Sequence, residues 1–154
     1  MPGSKRKTIT SFFLVIFILI LDQLTKYIVT QKILLGESIP VIKNIFHLTF
    51  ILNRGAAFGI LKNQFYFLIF IAIVAIIFVV SNLRKKRLRG CEIALCLILG
   101  GAISNLIDRL RLGAVIDFLD FRIWPVFNIA DSAITIGAIL LAYSLLFKKR
   151  TNSV

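Results

Sequence analysis

Four stretches of this chain are nearly unbroken apolar runs, at residues 9–29, 65–83, 91–110 and 127–147. A helix of about 20 residues crosses a hydrocarbon core of about 30 Å, so the pattern predicts four transmembrane helices. Between the first two runs the pattern changes. In ESIPVIKNIFHLTFILNRGAAFGILK, residues 37–62, aromatic and β-branched residues cluster from Ile45 to Ile51, and Asn53-Arg54-Gly55 is a turn signal. A short strand pair or amphipathic sheet on the outer membrane surface is expected there. A second outer link, Arg111 to Pro125, carries Asp117, Asp120 and Arg122, with Trp124 suited to the interface and Pro125 near a helix start. The expected fold class is an all-α membrane protein with four transmembrane helices and a small extracytoplasmic β-sheet and loop region. Residues 1–154 would form a single integral membrane domain with outer loops at 30–64 and 111–126.

Composition and charge sharpen this picture. With 58% hydrophobic residues and a mean hydropathy of +0.92, the chain is too apolar for a soluble domain of 154 residues. Of its 19 basic residues, 11 fall in three clusters: Lys5, Arg6 and Lys7; Arg84, Lys85, Lys86, Arg87 and Arg89; Lys148, Lys149 and Arg150. The positive-inside rule places all three clusters, and both termini, in the cytoplasm. The net charge of +12 follows largely from that topology, and the Arg84 to Arg89 cluster could attract anionic headgroups of membrane lipids. That cluster is short and lacks interleaved aromatics, so no nucleic-acid partner is expected. The basic start and the run Phe12 to Leu21 resemble a signal sequence, but LDQLTKYIV follows without a small-residue cleavage site, which marks a retained helix. Cys91 and Cys96, with the single histidine far away at His47, match no zinc spacing and read as buried thiols.

Candidate chemistry lies in the few acidic residues. Asp22, Asp108, Asp117 and Asp131 all sit within or beside apolar runs, where carboxylates are costly and face protein, water or substrate. Asp117, in VIDF, and Asp131, in FNIAD, are the most telling. Two carboxylates close together in low dielectric do not both ionise, so one holds a proton while the other stays basic, as water activation against an amide requires. Helical rise puts Asp22 and Asn105 about 21 Å, and Asp131 about 24 Å, from the cytoplasmic boundary, a shared level in the outer third of the bilayer. Asp117 can reach down to that level from the outer link. Gly101, Asn105 and Arg109 recur at i and i+4, and Asn128, Asp131 and Thr135 form a second stripe, so each helix turns a polar face inward. Gly100, Gly101, Ala102 and Ser104 permit a close helix approach.

The motifs LDQLTK, NRGAAFGIL, GGAISNLIDRLRLGAVIDF and FNIADSAITIG, in this order, resemble those of the bacterial lipoprotein signal peptidases, the type II signal peptidases, over nearly the whole chain. The resemblance implies an aspartic endopeptidase whose dyad is Asp117 and Asp131. It implies supporting or substrate-binding roles for Asp22, Lys26, Asn53, Gly101, Asn105, Arg109 and Asn128. Ser104 departs from the glycine often found there, and could tighten the backbone or add a hydrogen bond. The implied substrates are diacylglyceryl-modified prolipoproteins in the bacterial inner membrane, cut before the lipobox cysteine near the outer leaflet, by a monomer without metal or cofactor. A small proton-coupled transporter or channel component is the rival class, but it would need polar residues spaced across the whole membrane, whereas Phe12 to Leu21 and Ala138 to Phe147 are almost wholly apolar. The segment Asn53 to Phe58 is expected to cover the site and touch substrate. Gly55 and Gly59 allow unusual backbone angles, the pair Ala56-Ala57 allows close approach, and Phe58 can cover the site.

Overall fold

Within hydrocarbon every backbone N–H and C=O must be satisfied inside the chain, and the four apolar runs accordingly fold as helices. A computed structural model describes the backbone of residues 2–55, 64–85 and 91–147 and the side chains of residues 12–55, 64–84 and 91–147. Its helices are α1 (Pro2–Lys32), α2 (Phe65–Lys85), α3 (Glu92–Leu112) and α4 (Ile129–Phe147). Each contains a span long and apolar enough to cross a membrane, and the chain is a multi-pass membrane protein. α1 outruns its expected 9–29 at both ends, because a helix needs only backbone hydrogen bonds to continue past the apolar side chains. Lys86, Arg87 and Arg89 of the middle basic cluster, and Lys148, Lys149 and Arg150 of the last, lie outside the described residues.

Small residues bring the helices together. A Cβ on Gly100 would sit 3.0 Å from Cβ of Ile18 on α1, and one on Gly101 would collide with the Ala130 carbonyl oxygen of α4 and lie 2.8 Å from Cγ1 of Ile134. At Gly137 it would meet the Ala94 carbonyl oxygen at 2.7 Å. α3 is thus the central helix, with α1 and α4 packed against its glycine faces. α2 turns Tyr66, Phe70, Ile77 and Phe78 outward. A helix apolar on so many sides suits a lipid solvent.

The region between α1 and α2 forms a hairpin of β1 (Ser38–Ile42) and β2 (Phe46–Asn53). Its reversal lies at Lys43 to Ile45, where Asn44 takes φ +63° and the Ile45 N–H donates to the Ile42 carbonyl at 3.0 Å. The expected turn residues at Asn53 instead close the strand, the Gly55 N–H donating to Asn53 Oδ1 at 2.9 Å. The second outer link, expected as a loop, contains a third strand, β3 (Val115–Asp120), antiparallel to β2. Gly113, at φ +68°, ends α3 and turns the chain into β3, its N–H bonded to the Arg109 carbonyl at 2.9 Å. In the β2–β3 register Ile51 lies opposite Asp117 and His47 opposite Asp120, with a bulge between Leu48 and Ile51. Phe118 packs with Val29 of α1 and with Ile33 just beyond its end, seating the sheet on the helices.

The segment after β3 doubles back. Phe127 pairs with Leu119, exchanging N–H···O bonds of 2.8 and 3.1 Å, while its ring stacks on Phe121 at 5.9 Å. This closed loop brings Asn128, at the start of α4, beside Asp117.

Candidate active site

Asn128 organises the centre. As the residue before α4 it caps the helix, its Oδ1 accepting the Asp131 N–H at 2.8 Å, in the role that favours asparagine at this position. Its Nδ2 donates to Asp117 Oδ1 at 2.7 Å, so one fully buried amide joins the two aspartates. A further amide holds each carboxylate from another element. Asn53 Nδ2 donates to Asp117 Oδ2 at 2.9 Å, and Asn105 Nδ2 donates to Asp131 Oδ1 at 2.7 Å. The four-residue spacing of Gly101, Asn105 and Arg109 turns all three toward α4, with Gly101 supplying the close approach and Asn105 the hydrogen bond.

Asp117 and Asp131 open onto a common cavity of about 630 Å³, lined also by Asn53, Gly55, Arg109, Ser132 and Thr135. The remaining lining is largely apolar and includes Val115, Phe121, Ile123, Trp124, Val126, Ile134 and Ile136. The Asp117 carboxyl is pushed up to about 7, first by burial and then by the nearby charge of Asp131. Hydrogen bonds from Asn53 and Asn128 and the charge of Lys26 partly oppose that rise. Asp120, three residues on, behaves oppositely: burial raises it, but hydrogen bonds from Thr49 and Arg122 outweigh burial and hold it below the usual carboxylate range. One carboxyl able to carry a proton beside another facing the same cavity can activate water and protonate a carbonyl oxygen or a leaving amine. Among the described residues no group of three His, Cys, Asp or Glu side chains is placed to hold a metal ion.

Behind Asp117 and Asp131 lies a layer that sequence reasoning grasped only in part. Lys26 Nζ is 2.6 Å from Asp22 Oδ2 and 2.7 Å from Asp108 Oδ2, and it donates to Asn105 Oδ1 at 3.0 Å. Asp22 and Lys26, expected to brace the first helix, therefore reach α3, and Asp22 Oδ1 also accepts the Ala130 N–H of α4 at 2.8 Å. Ser104 adds hydrogen bonds where glycine would have none, donating to Asp22 Oδ2 at 2.7 Å and accepting from Gln23 Nε2 at 2.9 Å. Asp108 and Gln23 belong to this layer without having been assigned to the site. Asp108 carried a usable signal, since a carboxylate four residues beyond Ser104 in an apolar helix requires a partner. Gln23 carried none apart from its place beside Asp22. Arg109 lines the cavity without an ion pair to either aspartate within 4 Å; among the described residues its Nη1 reaches the Asn105 carbonyl at 3.5 Å. Of the segment expected to cover the site, Asn53 and Gly55 line the cavity, while Ala56, Ala57, Phe58 and Gly59 lie outside the described residues.

Residues 14–147 match the family described as Signal peptidase (SPase) II. The lipoprotein signal peptidase of Halothermothrix orenii is 51% identical over 131 residues, covering 84% of this chain and 90% of that protein. The lipoprotein signal peptidase of Caldanaerobacter subterraneus subsp. tengcongensis is 47% identical over 137 residues, covering 88% and 94%. A solved bacterial membrane enzyme superposes with a TM-score of 0.86 at 38% identity, over 94% of each chain.

Proposed function

Because the chain belongs to the signal peptidase II family, we propose that it removes signal peptides from diacylglyceryl-modified prolipoproteins as an aspartic endopeptidase, with Asp117 and Asp131 as its catalytic dyad. The observation carrying this reading is that Asp117 and Asp131, linked through the side chain of Asn128 to the carboxylate of the first and the backbone N–H of the second, line one largely apolar cavity. Such a cavity suits a peptide bearing acyl chains, whose apolar parts gain by leaving water or by exchanging lipid for protein contacts.

In this mechanism one aspartate, ionised, takes a proton from the attacking water. The other, protonated, donates to the carbonyl oxygen of the bond before the lipobox cysteine and later to the leaving amine. The dyad titrates as a coupled pair. Asn53, Asn105 and Asn128 aim the carboxylates, and Arg109, facing the cavity, is available to the substrate backbone. The whole of residues 1–154 acts as one integral membrane domain, with both termini in the cytoplasm and the dyad near the outer leaflet of the inner membrane. The basic clusters support that orientation.

The test is purified protein in detergent with a diacylglyceryl-modified prolipoprotein, reading the released signal peptide. Asp117→Asn and Asp131→Asn should each reduce cleavage by at least a thousandfold while leaving the protein folded, and near-wild-type turnover in either variant would show that the dyad is misassigned.

A further inference from the structure

Each dyad aspartate follows a residue whose backbone N–H is held by a second carboxylate. Ala130, immediately before Asp131, donates to Asp22 Oδ1 at 2.8 Å, and Ile116, immediately before Asp117, donates to Asp108 Oδ2 at 3.2 Å. The two holding carboxylates come from different helices, and one ammonium joins them, with Lys26 Nζ at 2.6 Å from Asp22 and 2.7 Å from Asp108. On the other side the same two carboxylates are linked through neutral groups. Ser104 Oγ donates to Asp22 Oδ2 at 2.7 Å, Gln23 Nε2 donates to Ser104 Oγ at 2.9 Å, and to Asp108 Oδ1 at 2.8 Å. The result is a closed ring of Asp22, Lys26, Asp108, Gln23 and Ser104. The third contact of the ammonium, to Asn105 Oδ1 at 3.0 Å, turns the Asn105 Nδ2 toward Asp131.

We infer that this ring is a yoke that sets the separation of Asp117 and Asp131, with Lys26 as the positioning residue; the inference rests on the dyad reading above. Helix cohesion alone does not call for such an arrangement. Apolar side chains of similar volume join helices as well as a buried ion pair does, because desolvating three charges consumes most of their attraction. What an ion-pair ring adds is one defined geometry, since an ammonium holds its oxygens at hydrogen-bond distance and apolar contacts tolerate sliding. Here that geometry is transmitted through two backbone N–H groups to the start of α4 and to β3, each a single residue from the reacting carboxylates.

The separation of two carboxylates governs how strongly the second ionisation is suppressed by the first, so a yoke has a signature that a merely structural ion pair lacks. Among the described residues, the charged groups around the dyad include Asp22 and Lys26 from α1 and Asp108 and Arg109 from α3. β3 adds Asp120, already paired with Arg122; β2 carries His47, at the end of the strand away from Asn53, and is followed by the exposed Arg54.

Lys26→Arg keeps the charge but spreads its donors over a wider plane, forcing Asp22 and Asp108 apart. With the prolipoprotein substrate, kcat should fall at least tenfold while KM stays within threefold, and the two limbs of the pH profile of kcat/KM should move closer together. A second variant covers the case in which the arginine chain does not fold. Asp108→Asn sets its amide against the donor of Gln23 and should lose kcat tenfold or more. Its KM should stay within threefold, and the two limbs of its pH profile should move closer together instead of shifting in parallel, because the asparagine no longer holds the Lys26 ammonium as a charge. Wild-type kcat and an unchanged separation of the two limbs, in Lys26→Arg or in Asp108→Asn, would overturn the yoke. If Asp117→Asn or Asp131→Asn remains active, it is the dyad reading that fails.

Discussion

Asp117→Asn should stabilise the protein in alkali and destabilise it in acid. The Asp117 carboxyl, with an ordinary value of 3.8, sits at about 7 in the fold because burial and Asp131 disfavour its charge. Between those pH values the folded chain keeps a proton that the unfolded chain releases. The stability contributed by this group is therefore fully present below about pH 4 and is lost as pH rises through about 7. At about 1.4 kcal/mol per pH unit the interval corresponds to roughly 4 kcal/mol. Asparagine carries no charge and escapes that loss. It cannot, however, accept from both Asn53 and Asn128 as the carboxylate does, and Asn53 cannot flip without losing its bond to the Gly55 N–H. One lost hydrogen bond costs about 1 kcal/mol, leaving a net gain of about 3 kcal/mol well above pH 7. With about 2–4 °C per kcal/mol for a chain of this size, Tm should rise by roughly 6–12 °C. The measurement is thermal unfolding in detergent, followed by Trp124 fluorescence, of wild type and variant at about pH 4 and about pH 8.5. The variant should melt higher at the alkaline pH and slightly lower at the acid one. An advantage that does not grow with pH would refute the assignment of burial and Asp131 as the cause.

Asn53→Ala removes a hydrogen bond to a carboxylate at 2.9 Å, so turnover should fall by about 10–100-fold with little change in Tm, and a loss that merely tracks Tm would make the residue scaffolding. On a background with Cys91→Ala and Cys96→Ala, Ile123→Cys, at a position 94% exposed, should react with a membrane-impermeant thiol reagent added from outside, whereas Lys86→Cys should not; the reverse pattern would invert the proposed topology.

The four spans and the shared level of Asp22, Asn105 and Asp131 were legible in the sequence for a simple reason. In hydrocarbon, helix is the form that satisfies its own backbone, and helical rise then converts residue number into depth. The same economy made Asp117 and Asp131 conspicuous, since a carboxylate in an apolar run has few reasons to persist. Periodicity could not reveal that Asp117 lies on a strand, because β3 is created by pairing with β2, more than sixty residues earlier, and by the return of Phe127 onto Leu119. It could not reveal that Asp108 and Gln23 join Asp22, Lys26 and Ser104 either, since their ring closes across α1 and α3 with sequence separations of 81 to 85 residues. Local pattern reports which residues are costly where they stand. Which groups offset that cost is decided only when glycines such as Gly100 and Gly101 let the helices close to contact, and hydrogen bonds, short in range and directional, select their partners.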